Sequence, residues 1–259
     1  MSPATIDAFV FLGQSLLGYG QSEAELLARL DAADVERAVV CPVKPRGYHL
    51  APANDLVAEA AARQQRFVGL ARVDPHFEDD ALRELDRAVE TLGLRGLFLH
   101  PWEETFRVND PRVDPLLRRC ADLDVPVLIA TGYPWLSEAA QVGDLARRFP
   151  SVPIVMTHGG QINISGLGQA DAFDVLRRYP NVNIETSGVY RQDFLLDVAT
   201  DLGAERVLFG SNSPRMDMRL EVQRARWADL PEAARALILG NNAWRVFRLD
   251  AQRASEPQR

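Results

Sequence analysis

Eight short runs of strand character recur along the chain, beginning near Thr5, Arg37, Phe67, Leu94, Val125, Val152, Val182 and Arg206. Their separations are all about 30 residues, and each gap is long enough for one helix, the rhythm of repeated βα units feeding a parallel sheet. Runs such as TIDAFVFL, RAVVCPV, VPVLIAT and VPIVMTH are apolar on both parities. Strands covered on both faces read this way, because neither face meets water.

The intervening segments carry helix punctuation. Ser22 and Glu25 form a capping-box pattern ahead of the apolar stripe Leu26, Leu27 and Leu30. Asp110 before Pro111 places an N-cap ahead of a proline at the first helical position. In ARRFPSVPIVM and LRRYPNVNIET basic residues close a helix and a proline follows. Pro231 is expected to open a helix and Gly240 to close it, with NNAWRVFRL adding a last amphipathic turn or two. Eight units in one unbroken rhythm, with no linker or composition shift, predict a single (β/α)8 barrel over residues 1–249 and a disordered tail over 250–259. A dinucleotide-binding sheet is excluded: Gly13, Gly18 and Gly20 have the wrong spacing for a dinucleotide turn, and no GxxxxGK[ST] phosphate loop exists.

Composition narrows function mainly by exclusion. The 259 residues carry a net charge of -7 with Lys and Arg scattered, which argues against a nucleic-acid partner. No apolar run approaches the roughly 18 residues of a membrane span, and no basic region precedes the first apolar stretch. Cys41 and Cys120 make neither a disulfide framework nor a CxxC zinc site, so a cytoplasmic location is expected. The Asn163-Ile164-Ser165 sequon carries no meaning there. The four histidines, His49, His76, His100 and His158, are few for a metalloenzyme, and no two are close in sequence.

In a barrel the chemistry sits where strands run into the following loops. Those positions hold Asp7, Phe9, Phe11, Cys41, Lys44, Arg72, His100, Trp102, Glu103, Glu104, Thr131, Tyr133, His158, Gln161, Glu185, Ser187, Tyr190, Arg191, Asn212 and Arg215. This polar and aromatic rim suits a small-molecule pocket, although loops are polar for simpler reasons as well. Glu103 and Glu104 are adjacent, so their side chains are expected to point apart, with at least one facing solvent. Cys41 reads better as a buried thiol than as a nucleophile. Arg191, Tyr190 and Arg215 could clamp a carboxylate.

The segments IDAFVFLG, PVLIATG, IVMTHGGQ, NIETSG, RVLFGSNSP and LILGNNAWRVFRL resemble the amidohydrolase-2 family of metal-dependent (β/α)8 hydrolases and decarboxylases, nearly end to end. The resemblance implies a divalent metal held by HxH on the first strand, a histidine before Thr-Gly on the fifth and an aspartate in GSD on the eighth, with the HGG histidine acting on substrate or water. Here Phe9 and Phe11 stand at the HxH pair, Ala130 at the fifth-strand histidine and Asn212 at the aspartate; only His158 matches. Phenylalanine and alanine have no lone pair to donate, so neither a metal nor another cofactor is expected. Phe9 and Phe11 share a parity, so both rings are expected to enter the barrel mouth and fill the metal's volume.

Metal binding lowers the pKa of water from about 15.7 to about 7, on the order of 12 kcal/mol of easier hydroxide formation. A positioned general base contributes only about 10²–10⁴-fold, roughly 3–5 kcal/mol. His158 alone therefore suits easier chemistry, such as proton transfer beside a carbonyl, lyase-type elimination or opening of an activated ester or lactone. The reading is a metal-independent enzyme acting on a small carbonyl- or carboxylate-containing molecule. His158 and Asn212 are the catalytic candidates, and His100, Trp102, Thr131, Tyr133, Gln161, Ser187, Tyr190, Arg191, Phe9 and Phe11 the substrate-binding ones. Two alternatives stand beside it: a pseudoenzyme barrel that binds a ligand or a partner protein, and a metal held by His158, His100 and Glu103. Barrels of this kind commonly pair as homodimers.

Overall fold

The computed structural model describes residues 4–47, 49–161, 166–189 and 191–249. Tyr190, the sequon at Asn163 and the tail 250–259 lie outside the described residues. The strands are β1 (Ile6–Gln14), β2 (Gly20–Gln21), β3 (Arg37–Pro42), β4 (Phe67–Gly69), β5 (Ala71–Arg72), β6 (Leu97–Leu99), β7 (Val127–Ile129), β8 (Ile154–Met156), β9 (Val182–Glu185) and β10 (Val207–Leu208). β4 and β5 are one predicted run, interrupted at Leu70, whose amide still donates to Val40 O. β2 is a short antiparallel return on β1. The remaining pairs are parallel in chain order, and the sheet closes where the last strand meets the first. At that seam Ala8 N donates to Phe209 O, Asn212 N to Phe9 O and Phe11 N to Ser213 O, each at 2.8 Å. The expected eight-stranded barrel is thus the fold, and its strands begin within three residues of the positions read from the sequence.

A register shift in β1 between Asp7 and Val10 lets Ala8 and Phe9 both face inward. Inside the barrel Ile6, Phe9, Phe11, Phe98, Leu128 and Val155 form one apolar cluster, joined by Ala243, Val246 and Phe247 of the C-terminal segment. The opposite strand faces, including Val10, Leu12, Val40 and Ile129, pack with Leu26, Leu30, Val57, Leu116 and Leu145 from the helices. Burial on both sides explains the unbroken apolar runs.

Helix Glu23–Ala33 starts with the reciprocal Ser22–Glu25 capping box. Asp110 caps the turn Pro111–Val113 that leads into helix Asp114–Asp122. The expected end at Gly240 is corrected: helical backbone runs from Glu232 through Gly240 to Val246. A Cβ at Gly240 would lie 1.9 Å from Ala4 O, so this glycine admits the start of the chain against the helix rather than ending it. Among the described residues no helix is long and apolar enough to cross a membrane.

Candidate active site

β8 runs into a tight turn, Thr157–Gly160, in which His158 takes left-handed backbone angles, φ 56° and ψ 31°. Such a conformation costs of order 1–3 kcal/mol for a non-glycine residue and persists only where the surroundings fix it. Glu185, the last residue of β9, supplies the fixing. Its Oε1 accepts from His158 N at 2.6 Å and Ser187 Oγ at 2.7 Å, and its Oε2 accepts from Ser187 N at 2.8 Å. Gly210 makes room for this carboxylate, since a Cβ there would lie 2.2 Å from Glu185 Oε2.

The His158 ring is oriented through the same residues. Nδ1 lies 3.0 Å from both Ser187 O and Ser187 Oγ. A carbonyl only accepts, so Nδ1 carries the proton and Nε2 presents a lone pair. Burial pushes the His158 pKa down to about 4, opposed by the bond to Ser187 and aided by the charge of Arg215. His158 is therefore a neutral base at physiological pH, with a tenth of its side chain exposed. Burial pushes Glu185 up to about 7, against the donors from Ser187 and His158, and Asp7 adds to the rise. Asp7 is likewise raised to about 7 by burial; its Oδ1 accepts from Phe9 N and Ser211 N, and Oδ2 has no partner among the described residues.

A second buried polar cluster lies at the ends of β5 and β6. Arg72 Nη2 meets Glu103 Oε2 at 2.6 Å and Glu104 Oε1 at 2.8 Å, and Nη1 donates to Pro42 O. Lys44 Nζ lies 3.7 Å from Glu104 and also bonds Glu103 O. Tyr19 donates to Glu103 Oε1 at 2.8 Å, and His100 Nε2 lies 3.3 Å from the same atom. The expectation that one of the two glutamates faces solvent is corrected, because both are buried. They occupy one short helix, Pro101–Glu104, rather than alternating strand positions, and a single guanidinium spans both carboxylates. Arg72 is held above its ordinary pKa by these glutamates although burial opposes its charge, whereas burial and Arg72 keep His100 well below its ordinary value. Tyr19 was not legible as a site residue; the Gly-Tyr-Gly turn that returns β2 onto β1 is its one signal.

Aromatic rings connect the two clusters. Phe9 and Phe11 meet edge-on at 5.0 Å, and each lies 5.7 Å from Phe98. Phe9 also lies 6.0 Å from His158, while Tyr133 stands 5.5 Å from His100 and stacks on half-exposed Trp102 at 5.7 Å. Asn212, with φ 56°, is buried, and its Oδ1 has no partner among the described residues. Gln161 is buried with Nε2 in the same condition. The Thr131 hydroxyl is spent on Thr157 O at 2.5 Å, and exposed Arg191 is forked on Asp193 and bonded to Gln169. Cys41 is buried, its thiol pushed well above its ordinary pKa by desolvation, as an inert core thiol should be.

The divalent metal implied by the family resemblance can be tested against these side chains. A catalytic site needs three or four N or O donors. Phe9, Phe11 and Ala130 offer none, Asn212 offers one neutral oxygen, and the Phe9 and Phe11 rings pack inside the barrel. Among the described residues no three His, Cys, Asp or Glu side chains converge to hold a metal, which also removes support from the set His158, His100 and Glu103. The described donors do not fit the metal.

Known proteins place this geometry in context. The chain is 28% identical over 249 aligned residues to the gamma-resorcylate decarboxylase of Rhodococcus jostii strain RHA1, covering 76% of this chain and 76% of the relative. The fold matches the 5-carboxyvanillate decarboxylase of Sphingomonas paucimobilis with a TM-score of 0.77 at 22% identity, over 95% of this chain and 99% of that one. It also matches the dihydroxybenzoic acid decarboxylase of Polaromonas sp. JS666, solved with bound manganese and the inhibitor 2-nitroresorcinol, with a TM-score of 0.72 at 18% identity over 96% and 98% of the two chains. The Amidohydrolase family model (Amidohydro_2) spans residues 9–249, nearly the whole barrel, and the chain belongs to that family.

Proposed function

We propose that this barrel is a lyase acting on a small aromatic carboxylate, working without a metal and using His158 as its proton carrier. The observation that carries the reading is the ring of His158: Nδ1 is tied to Ser187, which is tied to Glu185, while Nε2 bonds to no described residue. The decarboxylase relatives supply the reaction class. With an ortho-hydroxybenzoate, neutral Nε2 takes the phenolic proton, and the phenolate pushes electron density onto the carbon bearing the carboxylate. The imidazolium, a strong acid because its pKa is about 4, returns that proton to the same carbon. The C–C bond then breaks, its electron pair restores the aromatic ring, and CO2 leaves. Ser187 O and the Ser187–Glu185 pair stabilise the transient imidazolium, and Asn212 offers an acceptor to a substrate hydroxyl.

Release of CO2 from 2,6-dihydroxybenzoate and related hydroxybenzoates tests this. His158→Ala is expected to lower turnover about 10²–10⁴-fold with the circular dichroism spectrum retained. Unchanged turnover in that variant overturns the role of His158. Stoichiometric divalent metal in the purified protein, with activity lost on chelation, overturns the metal-free clause. The ring packing of Phe9, Phe11 and Phe98 favours a second reading, a barrel that binds without turnover; saturable binding with no product from any of the acids would select it.

A further inference from the structure

The turn after β10 sets one cation at the barrel mouth. Arg215 N donates to Asn212 O at 2.9 Å, and Asn212 N donates to Phe9 O at 2.8 Å, so this turn is stapled to β1. The guanidinium lies over the Tyr19 ring at 5.1 Å from its centroid. That ring is itself immobilised, 5.3 Å from Phe11 and bonded through its hydroxyl to Glu103. Stacking orients a guanidinium while leaving its N–H edge available. The Tyr133 hydroxyl lies against Arg215, and the charge of Arg215 reaches both His158 and His100. The guanidinium therefore acts on the mouth rather than on outer solvent alone.

The charges around it do not cancel. Glu103 and Glu104 are engaged by Arg72 and Lys44. No carboxylate of the described residues lies within ion-pair distance of Arg215, in contrast to Arg191 on Asp193. The same turn carries the buried Asn212 Oδ1, which has no hydrogen-bond partner among the described residues. A buried acceptor left without a donor is unfavourable, and a ligand hydroxyl would satisfy it.

We propose that Arg215 is the residue that binds the carboxylate of an incoming ligand at this mouth, and that Asn212 accepts a hydrogen bond from a hydroxyl on the same molecule. This rests on the reading that the barrel acts on a carboxylate, and it assigns the electropositive role to one arginine in a site whose described donors do not fit a metal. Arg215 is a specificity residue: it selects anionic over neutral ligands and, through Asn212, hydroxylated over plain acids.

Calorimetric titration with benzoate, its neutral isostere benzamide, and salicylate tests the assignment on the intact protein. Arg215→Ala is expected to weaken benzoate at least 10-fold and leave benzamide unchanged, with partial recovery in Arg215→Lys. Asn212→Leu is expected to erase the preference for salicylate over benzoate. Equal benzoate affinity in wild type and Arg215→Ala overturns the proposal, as does a parallel loss of benzoate and benzamide, or the lack of saturable benzoate binding to the wild type. Benzoate carries no ortho hydroxyl to activate it, so the readout is binding alone. A failed His158 mechanism leaves this result standing, and an unchanged affinity beside intact turnover overturns only the role of Arg215.

Discussion

Around one barrel mouth, the carboxylates of Glu103 and Glu104 face Arg72 and Lys44, whereas those of Asp7 and Glu185 lie within ion-pair distance of no arginine or lysine among the described residues. Burial is nearly complete for all four. The first pair is compensated by fixed cations, and Arg72 stays charged because of it. The second pair is compensated by N–H and O–H donors and by protons, and burial raises both members to a pKa of about 7. Partner chemistry, not depth, decides whether a buried acid is a brace or a proton store.

Removing the cation breaks the first cluster. Arg72→Ala leaves two buried carboxylates with Lys44 as their one lysine or arginine partner among the described residues, and a loss of about 3–5 kcal/mol is expected from urea denaturation. Adding Glu103→Gln and Glu104→Gln should recover part of that loss, and a single-variant loss below about 1 kcal/mol would dissolve the contrast between the clusters.

The second cluster responds to pH. From its unfolded value of 3.8 up to about 7, folded Asp7 keeps a proton that the unfolded chain has released, so its contribution to stability falls as pH rises across that window and levels off above it. His158 has the opposite slope, since between about 4 and 6.5 the unfolded chain binds the extra proton. Asp7→Asn keeps the acceptor for Phe9 N and Ser211 N but cannot ionise. Its stability relative to wild type is expected to rise by on the order of 3 kcal/mol between pH 4 and pH 8. A flat difference curve would show that Asp7 is not a proton store. The smallest effect belongs to a neutral bond between the clusters: Thr131→Val, losing the donor to Thr157 O, should cost about 1 kcal/mol by thermal unfolding with no pH dependence.

The barrel was legible because strand spacing and apolar runs are local properties, and so were the Ser22 capping box and the Asp110 cap. The pairing of Arg72 with Glu103 and Glu104 was not, since strands apolar on both parities do not reveal which side chains turn inward, and the two glutamates lie on a helix of four residues that the pattern hides. Gly240 misled because a glycine late in a helix usually marks its end, while here the approach of Ala4 demands it. His158 stood out through its family motif. The dependence of its tautomer on Ser187 and Glu185 comes from the register of β8 against β9, which no single segment encodes.

The seam between β1 and β10 has a kinetic meaning. Ser211 N and the Asp7 carboxylate that binds it are 204 residues apart in the chain, and the Asn212–Phe9 bond beside them spans nearly the same loop. Contacts so distant carry a large loop-closure entropy, and topologies rich in them fold slowly. Asn212 and Arg215 are thus set against β1 only in a closed barrel. An open sheet lacks the proposed ligand site, so ligand capture during refolding would serve as a clock for closure itself.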